Sequence, residues 1–184
     1  SDLDHTGTGA LLFPRDVAIL IAAHNEASGI QRTVRSAGSH VPLANVFVAS
    51  DGSKDATSAI ARAEGANVVD ISPNRGKAGA LEFAIDWFRL ADRFEVLMLL
   101  DADTVLAPDY LDFALPLFAD DGVVAVAGTA RTALFPGPTS RLGELLITHR
   151  DRMYVVMQYL LKFGQAASFA NAVMIVPGFA SLYR

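Results

Sequence analysis

The sequence predicts an α/β fold in which a mainly parallel β-sheet is flanked by helices. Three observations indicate it: short apolar runs rich in β-branched residues recur along the chain, helix-like stretches separate them, and 52% of the 184 residues are hydrophobic. Such runs are typical of strands buried on both faces, and parallel neighbours need the crossovers that the helices supply. The length suits one domain with a single core.

The strands are predicted from runs that are too short for helices and too continuous for half-exposed strands. They are VAILIAA (17–23), NVFVAS (45–50), ANVVDI (66–71), EVLMLL (95–100) and GVVAVAG (122–128). Between them the sequence predicts helices at about 27–38, 54–64, 77–92 and 108–119. Ser53 or Asp55 suits the N-cap of the second helix, and Pro108 suits the first turn of the fourth.

Outside this alternation the pattern is weaker. We expect residues 1–14 to form a flexible N-terminal segment ahead of a single domain over 15–184. Two prolines and a glycine predict a loop at 132–141, the stretch 142–163 predicts one long or broken amphipathic helix, and 171–178 predicts a further strand. No terminating signal follows, so we expect the C-terminal part of the fold to be incomplete.

Composition excludes several classes of function. The formal net charge of −5 and a pI near 5.2 argue against a nucleic-acid partner, which normally meets a basic surface. The chain has no cysteine, which excludes disulfides, zinc–thiolate sites and thiol nucleophiles. The longest apolar candidates, 17–23 and 153–163, fall short of the ~18 residues that a membrane-spanning helix needs.

Polar clusters follow four of the predicted strands. They are HNE (24–26), SDGSKDAT (50–57), SPNRGKAGAL (72–81) and DADT (101–104). The carboxyl ends of parallel strands meet at one edge of a sheet, where ligands bind in α/β folds. Each cluster also has a plainer interpretation, because Asn, Asp, Ser and Gly are ordinary turn and capping residues. Gly76, Lys77 and Gly79 precede a helix and suit a phosphate, but they lack the spacing of a P-loop or a dinucleotide motif.

The pair Asp101 and Asp103 is harder to explain as a turn. Two carboxylates within ~7 Å of chain repel each other unless a cation or donors lie near them, and the apolar strand upstream lowers the local dielectric. Hard oxygen ligands of this kind suit Mg²⁺ or Mn²⁺, which complete their shells with water and phosphate oxygens. The alternative is a solvated loop with a helix cap ahead of Pro108.

Taken in order, the clusters resemble a known family. HNE, SDGSKDAT, NRGKAGALEFA, LLDADT and VPGFASLYR are similar to the motifs of the GT-A fold family-2 glycosyltransferases, especially the cellulose synthase, hyaluronan synthase and poly-N-acetylglucosamine synthase branch. The resemblance runs from about Val17 to Arg184. It implies a Rossmann-like domain that binds a UDP-sugar with Mg²⁺ or Mn²⁺.

The resemblance also implies roles for individual residues. Glu26 and Asp51 would lie near the uridine, with Asp51 bonded to the uracil ring. Lys77 would lie beside the nucleotide. Asp101 would lie near the ribose and donor sugar and share the metal with Asp103, its direct ligand. Gly178, Ser181 and Arg184 match a segment that lies near the donor sugar and the acceptor in the family, so the resemblance places them there.

Several positions depart from the family's usual pattern. His24, Ser50 and Glu82 stand where Tyr, Asp and Asn are common, which leaves the base and sugar preference open. We interpret His24 as a packed or hydrogen-bonded residue rather than a base. The acidic motif that supplies the family's general base does not precede Arg184, so no catalytic residue is identified and we expect the base beyond it. A chain of this length could then bind its donor without turning it over.

The resemblance predicts inverting transfer of a hexosyl or N-acetylhexosaminyl group to a saccharide or lipid-linked acceptor, as in polysaccharide synthesis. A divalent ion on Asp103, helped by Lys77, would stabilise the departing diphosphate. We expect a cytoplasmic protein, held at the inner face of the plasma membrane by further segments. The apolar stretch 142–163 is interpreted as core or as a contact between protomers in a homo-oligomer, with a surface against a membrane as the alternative, and its exposure would promote association. Two alternatives stay open: a non-catalytic nucleotide- or metal-binding module, and a sugar-phosphate nucleotidyltransferase, whose basic GxGxR loop this chain lacks.

Overall fold

The computed structural model of the protein describes residues 11–128 and 180–184, together with Gly143, His149 and Arg152. The chain divides into two compact units, and nearly all of these residues belong to the first, which comprises 1–127 and 177–184. Among the described residues, no helix is long and apolar enough to cross a membrane. The loop, helix and strand expected at 132–141, 142–163 and 171–178 fall outside the continuous described ranges and stay predictions.

Four parallel strands form the main part of the sheet. They are β1 (Val17–Ala23), β2 (Val46–Asp51), β3 (Asn67–Ile71) and β4 (Val96–Asp101), with β1 between β2 and β4 and with β3 beyond β2. Each agrees with its predicted run to within one residue at either end, because the apolar run marks the length of strand that packs in the core. The strands β1 and β2 are buried on both faces, and β3 and β4 are partly exposed. The mainly parallel α/β fold is therefore confirmed.

Two short strands complete the sheet, β5 (Ala125–Ala127) and β6 (Ser181–Tyr183), and give the order β3-β2-β1-β4-β6-β5. The strand β6 runs antiparallel to both of its neighbours. The strand predicted at 122–128 is shorter in the structure because a turn occupies its start, where the Val123 N–H donates to Asp120 O at 3.0 Å. The sequence analysis did not predict β6.

The described helices lie between these strands. They are α1 (Ile30–Gly38), α2 (Thr57–Ala63), α3 (Gly76–Phe88), α4 (Leu90–Arg93) and α5 (Tyr110–Ala114), with 3₁₀ helices at Pro14–Asp16, Leu43–Asn45 and Leu115–Ala119. The helix predicted at 77–92 is divided because Arg89 adopts a left-handed backbone, with φ 53° and ψ 46°. The helix predicted at 108–119 continues as a 3₁₀ helix from Leu115, because Pro116 has no N–H to donate to an α-helical carbonyl.

The core has two parts, one on each face of the sheet. Val17, Ile19 and Ile21 face one part, and Ala18 and Leu20 face the other, as the two-residue period of a strand requires. Helices α1 and α5 cover the first face, and α3 and α4 cover the second. Because apolar side chains fill both faces, a polar ligand can reach this sheet only at an edge.

Candidate functional site

The carboxyl ends of β1 to β4 lie side by side at one edge of the sheet. The pairing register places Ala23 beside Ser50 and Ala22 beside Asp101, and it places Asp70 on the other side of Ser50. The polar clusters that follow these strands are therefore neighbours in space. This edge is the one at which the sequence predicts the site.

Several hydrogen bonds join the loop after β1 to the loop after β2. The Asn25 N–H donates to Ser53 Oγ at 3.2 Å, and Asn25 Oδ1 accepts from the Lys54 N–H at 2.8 Å. The Glu26 N–H donates to Thr57 Oγ1 at 2.8 Å. Asn25 adopts a φ of 55°, a left-handed conformation that asparagine tolerates better than most residues. The two loops therefore form one hydrogen-bonded surface, with Glu26 half-buried in it.

Asp55 meets the start of α2 without occupying its N-cap position. The helix begins at Thr57 with Ala56 as its N-cap, so neither Ser53 nor Asp55 caps it in the predicted way. Asp55 Oδ1 nevertheless accepts from the Thr57 N–H at 3.0 Å and from the Thr57 hydroxyl. The hydrogen bond from this hydroxyl is the main cause that lowers the pKa of Asp55 below its usual value.

Asp51 is a buried carboxylate that joins three segments of the site. Its Oδ1 accepts from the Arg75 N–H at 2.7 Å, and its backbone oxygen accepts from the Asn74 amide at 2.9 Å and from Nδ1 of His24. Because a carbonyl oxygen only accepts, His24 carries its hydrogen on Nδ1, and Nε2 accepts from the Asn25 amide at 3.0 Å. His24 is thus held at both ring nitrogens, in line with its interpretation as a hydrogen-bonded residue.

Lys77 and Asp101 form an ion pair across two segments. Asp101 is the last residue of β4, Lys77 is the second residue of α3, and the Lys77 Nζ atom contacts Asp101 Oδ1. The two side chains are 49% and 35% exposed, so water screens the pair and it contributes little to the free energy of folding. A cation close to Asp101 is what the sequence predicts. Because Lys77 lies at the start of α3, its ammonium group is also well placed to bind a phosphate group.

Asp103 lies two residues beyond β4 on the surface of the loop that follows it. Among the described residues, no group of three or more His, Cys, Asp or Glu side chains could hold a metal ion by itself. A cation at this edge would take Asp101 and Asp103 from the described chain and complete its shell with water and phosphate oxygens. Mg²⁺ and Mn²⁺ accept such a donor set, so the residues present fit either ion.

An open cavity of about 570 Å³ lies at the carboxyl ends of β1, β2 and β3. Its lining consists of His24, Asn25, Gly52, Lys54, Ser72, Pro73 and Asn74. Gly52 is required there, because its φ is 65° and a Cβ atom would lie 3.1 Å from the Cβ of Asn74. The lining combines a cation, amides and an imidazole, which suits a polar and negatively charged small molecule.

A chain of hydroxyl groups connects the loop after β2 to β3. The Asp70 carboxylate accepts from the Ser58 hydroxyl and from the Arg62 guanidinium, and Ser58 Oγ lies 2.8 Å from Ser50 Oγ. Ser50 Oγ in turn lies 2.9 Å from Ser53 Oγ. Because a carboxylate only accepts, the hydroxyl hydrogens point from Ser53 towards Asp70. The hydrogen bond from Ser58, followed by that from Arg62, lowers the pKa of Asp70.

With this geometry established, comparison with known proteins identifies the family. The model described as Glycosyl transferase family 2 matches residues 18–184. The chain belongs to glycosyltransferase family 2. The match covers every segment that carries the polar clusters, so the resemblance inferred from their motifs is confirmed at the level of the family. The narrower branch named from the motifs stays a prediction.

This family-2 chain covers only part of the length of its individual relatives. Succinoglycan biosynthesis protein ExoU of Rhizobium meliloti (strain 1021) is 38% identical over 147 residues, which are 72% of this chain and 42% of ExoU. The mannosyltransferase PcManGT from Pyrobaculum calidifontis, solved with GDP-Man and Mn²⁺, is 26% identical with a TM-score of 0.55, over 71% of this chain and 40% of that one. The chain thus spans less than half the length of either protein.

A third similar protein supports the fold alone. Glucosyl-3-phosphoglycerate synthase from Mycobacterium tuberculosis, solved with UDP, has a TM-score of 0.57 and is 19% identical, over 92% of this chain and 56% of that one. Together with the observed sheet, this likeness confirms the GT-A, Rossmann-like fold predicted for the family-2 chain.

The family-2 resemblance assigned three further residues to the site, and the structure does not bring all of them to the carboxyl edge. Ser181 is buried within β6. Arg184 pairs with Asp121, and because β6 runs antiparallel to β4, it lies five strand positions, about 16 Å, from Asp101. Gly178 lies outside the described residues. Glu26, Asp51, Lys77, Asp101 and Asp103 are the predicted site residues found in the loops and strand ends at this edge.

Sequence analysis missed Lys54 and Asn74, which line the cavity of the family-2 chain. Lys54 follows a glycine and a serine just after a strand, and the same kind of signal drew attention to Lys77. Asn74 was part of a quoted motif without an assigned role. Its amide bonds to the backbone oxygen of Asp51, and this contact depends on two loops that meet only in the folded chain.

Proposed function

We propose that this chain binds a UDP-sugar with Mg²⁺ or Mn²⁺ at the carboxyl edge of its sheet, and that it transfers the sugar to an acceptor hydroxyl with inversion. Membership of glycosyltransferase family 2 supports glycosyl transfer. The observation that carries the proposal is the ion pair of Lys77 with Asp101 at the same edge as the polar cavity. This edge supplies a cation for phosphate, carboxylates for a metal, and room for a nucleoside.

The cavity is assigned to the nucleoside. His24 and Asn74 line it and bond the backbone oxygen of Asp51. The Asp51 carboxylate holds the backbone of Arg75, the residue after Asn74, so loss of the carboxylate would affect the lining as well as any direct contact with the base. Lys54 adds a positive charge to the same lining. We assign recognition of the uridine to these residues together with Glu26.

The diphosphate is assigned to the other end of the edge. Departure of a nucleoside diphosphate from a sugar carbon leaves negative charge on the phosphate, which a nearby fixed cation stabilises. The Lys77 ammonium provides that charge, and Asp101 keeps it at the edge before the donor binds. A bound Mg²⁺ or Mn²⁺ would supply Lewis-acid stabilisation of the same charge. Asp101 and Asp103 would hold this ion.

A GDP-sugar is the second candidate donor. The mannosyltransferase from Pyrobaculum calidifontis was solved with GDP-Man and Mn²⁺, which supports a sugar nucleoside diphosphate and a divalent ion but not a uracil base. The preference for UDP depends on the resemblance at Asp51, while Ser50 departs from the family's usual residue.

The proposed acceptor is based on the similarity to ExoU. ExoU is named for succinoglycan biosynthesis, so we propose a saccharide or lipid-linked saccharide acceptor and a role in polysaccharide biosynthesis. We also propose that the reaction takes place on the cytoplasmic side of the membrane. Association with the membrane and with further copies of the chain belongs to the same proposal.

Calorimetry of UDP and of GDP, each with and without Mn²⁺, tests the proposal. We expect UDP to bind more tightly than GDP and Mn²⁺ to strengthen its binding. A preference for GDP would replace the donor, and the absence of nucleotide binding would contradict the proposed function. Release of free sugar from UDP-glucose and UDP-N-acetylglucosamine then separates an enzyme from a binding module, because a module would bind either donor and leave it intact.

A further inference from the structure

Helix α1 and its flanking residues present one row of side chains to the loop after β4. The row consists of Gly29, Thr33, Ser36 and His40, spaced by four, three and four positions, and residues with this spacing share one face of a helix. The loop over 102–107 carries Asp103. The neighbouring face of α1, with Ile30, Val34 and Ala37, packs into the core instead.

Three side chains of this row bond the backbone of the loop. Thr33 Oγ1 donates to Ala102 O at 2.6 Å, and Ser36 Oγ accepts from the Leu106 N–H at 2.9 Å. His40 Nε2 lies at hydrogen-bond distance, 2.7 Å, from Ala107 O. Thr33 is fully buried and Ala102 is 5% exposed, so the first bond is shielded from water, while the bond of Ser36 is partly buried.

Gly29 lets the start of α1 approach the same loop. A Cβ atom at this position would lie 3.3 Å from Ala102 O and 3.9 Å from the Cα of Asp103. The first distance is shorter than an ordinary van der Waals contact, so a larger residue would press on the loop. The backbone beside Asp103 is therefore packed closely as well as hydrogen bonded.

These contacts matter because Asp101 and Asp103 are positioned by different elements. Asp101 is held in the sheet by its pairing beside Ala22 of β1. Asp103 lies beyond the end of β4, and the bonds from Thr33 and Ser36 hold the loop on either side of it. A small cation such as Mg²⁺ demands nearly ideal geometry at 2.0–2.1 Å, so the separation of two ligands affects its affinity strongly.

We propose that Thr33, Ser36 and His40 are positioning residues that set the place of Asp103 relative to Asp101, and that they thereby control the affinity for the divalent cation and the diphosphate it binds. The inference depends on the proposed function, because it assigns a metal to Asp101 and Asp103. The three positioning residues act on the site through the backbone of the loop.

The variants Thr33→Val and Ser36→Ala test the inference by calorimetry. Each removes one bond to the loop and keeps most of the side-chain volume. We expect the affinity for Mn²⁺ in the presence of UDP to fall about 10-fold or more, as it does for residues that orient metal ligands, while UDP binding without Mn²⁺ is unchanged. Thr33→Ser should keep the metal affinity of the unmodified chain, because serine keeps the hydroxyl that bonds Ala102 O. The control is Gln31→Ala, on the same helix, whose amide bonds Glu64 instead of the loop.

Hydrogen exchange at the Leu106 amide provides a readout that needs no ligand. Ser36→Ala should accelerate this exchange, because the Leu106 N–H loses its acceptor. Faster exchange with unchanged Mn²⁺ affinity would overturn the positioning role and leave the proposed function intact. Absence of Mn²⁺-dependent UDP binding in the unmodified chain would overturn both. If Thr33→Val does not fold, the half-buried Ser36 carries the test.

Discussion

At the scale of single residues, Asp103 offers the most direct test of the metal site. It is exposed on a loop, so Asp103→Ala should leave the fold intact while it abolishes the metal-dependent part of UDP binding. Calorimetry with and without Mn²⁺ measures both parts. Asp112→Ala removes an exposed acid from α5 and is the matched control for the change in net charge. Unchanged UDP affinity in Asp103→Ala would contradict the metal role.

Asp51 tests the assignment of the base pocket. Because the Asp51 carboxylate holds the backbone of Arg75, next to Asn74 of the cavity lining, Asp51→Ala should weaken uridine nucleotides more than pyrophosphate, which has no base. The substitution leaves the Arg75 N–H without its acceptor, at a cost of about 1–3 kcal/mol of stability. Asp51→Asn keeps an oxygen that can accept from that N–H, so this variant should be more stable than Asp51→Ala and serves as a second test. Equal losses for both ligands would show that the base binds elsewhere.

At the scale of elements, Glu64 joins α1 to the end of α2. Its carboxylate accepts two bonds from Arg35, at 2.7 and 2.9 Å, and one from Gln31 at 2.6 Å. The Arg35 hydrogen bond, followed by that of Gln31, lowers the pKa of Glu64 below its usual value of 4.5. The resulting stabilisation is therefore present above pH 4.5 and is lost as the pH falls through the lowered pKa.

Glu64→Gln should consequently lower the melting temperature at pH 7, and the difference from the unmodified chain should shrink as the pH falls below 4.5. Thermal unfolding followed by circular dichroism at several pH values measures the difference. Asp109→Asn, an exposed acid outside this contact, is the control. A difference that stays constant down to acidic pH would show that the charge of Glu64 does not stabilise the contact between α1 and α2.

Tyr110 connects α5 to the chain segment that enters β6. Its hydroxyl donates to Ala180 O, and burial raises the pKa of Tyr110 to about 12. Because the folded pKa lies above the usual value of 10.0, this contribution to stability is full below pH 10 and falls as the pH rises towards 12. Tyr110→Phe should cost about 1 kcal/mol at neutral pH and lose less stability over that alkaline range. Urea titrations at pH 7 and pH 11 check both expectations.

At the scale of the whole molecule, a bound donor should stabilise the fold. A ligand at about 100 times its dissociation constant adds about 2.7 kcal/mol, which corresponds to about 5–10 °C for a chain of this size. We therefore expect UDP with Mn²⁺ to raise the melting temperature by that amount, and a chelator to remove the part that depends on the metal. Equal shifts with and without the chelator would contradict metal-assisted binding.

The site was predictable to the extent that it depends on strand ends. Asp51 and Asp101 are the last residues of β2 and β4, and a parallel sheet must place such residues at one edge, so their common location follows from the alternation of strands and helices. Lys77 follows from the same rule, because α3 begins at that edge. Arg184 does not follow the rule, because β6 enters the sheet in the opposite direction.

The sequence by itself determined the fold class, the four parallel strands and the edge that carries the polar clusters. The reason is that the buried length of a strand and the start of a helix depend on residues that are close together in the sequence. Only the tertiary structure decided that β6 lies between β4 and β5, that Asp51 bonds Arg75, and that α1 holds the loop of Asp103. Each of these depends on residues far apart in the chain, and their pairing is set by the packing of the whole core, which no local pattern encodes.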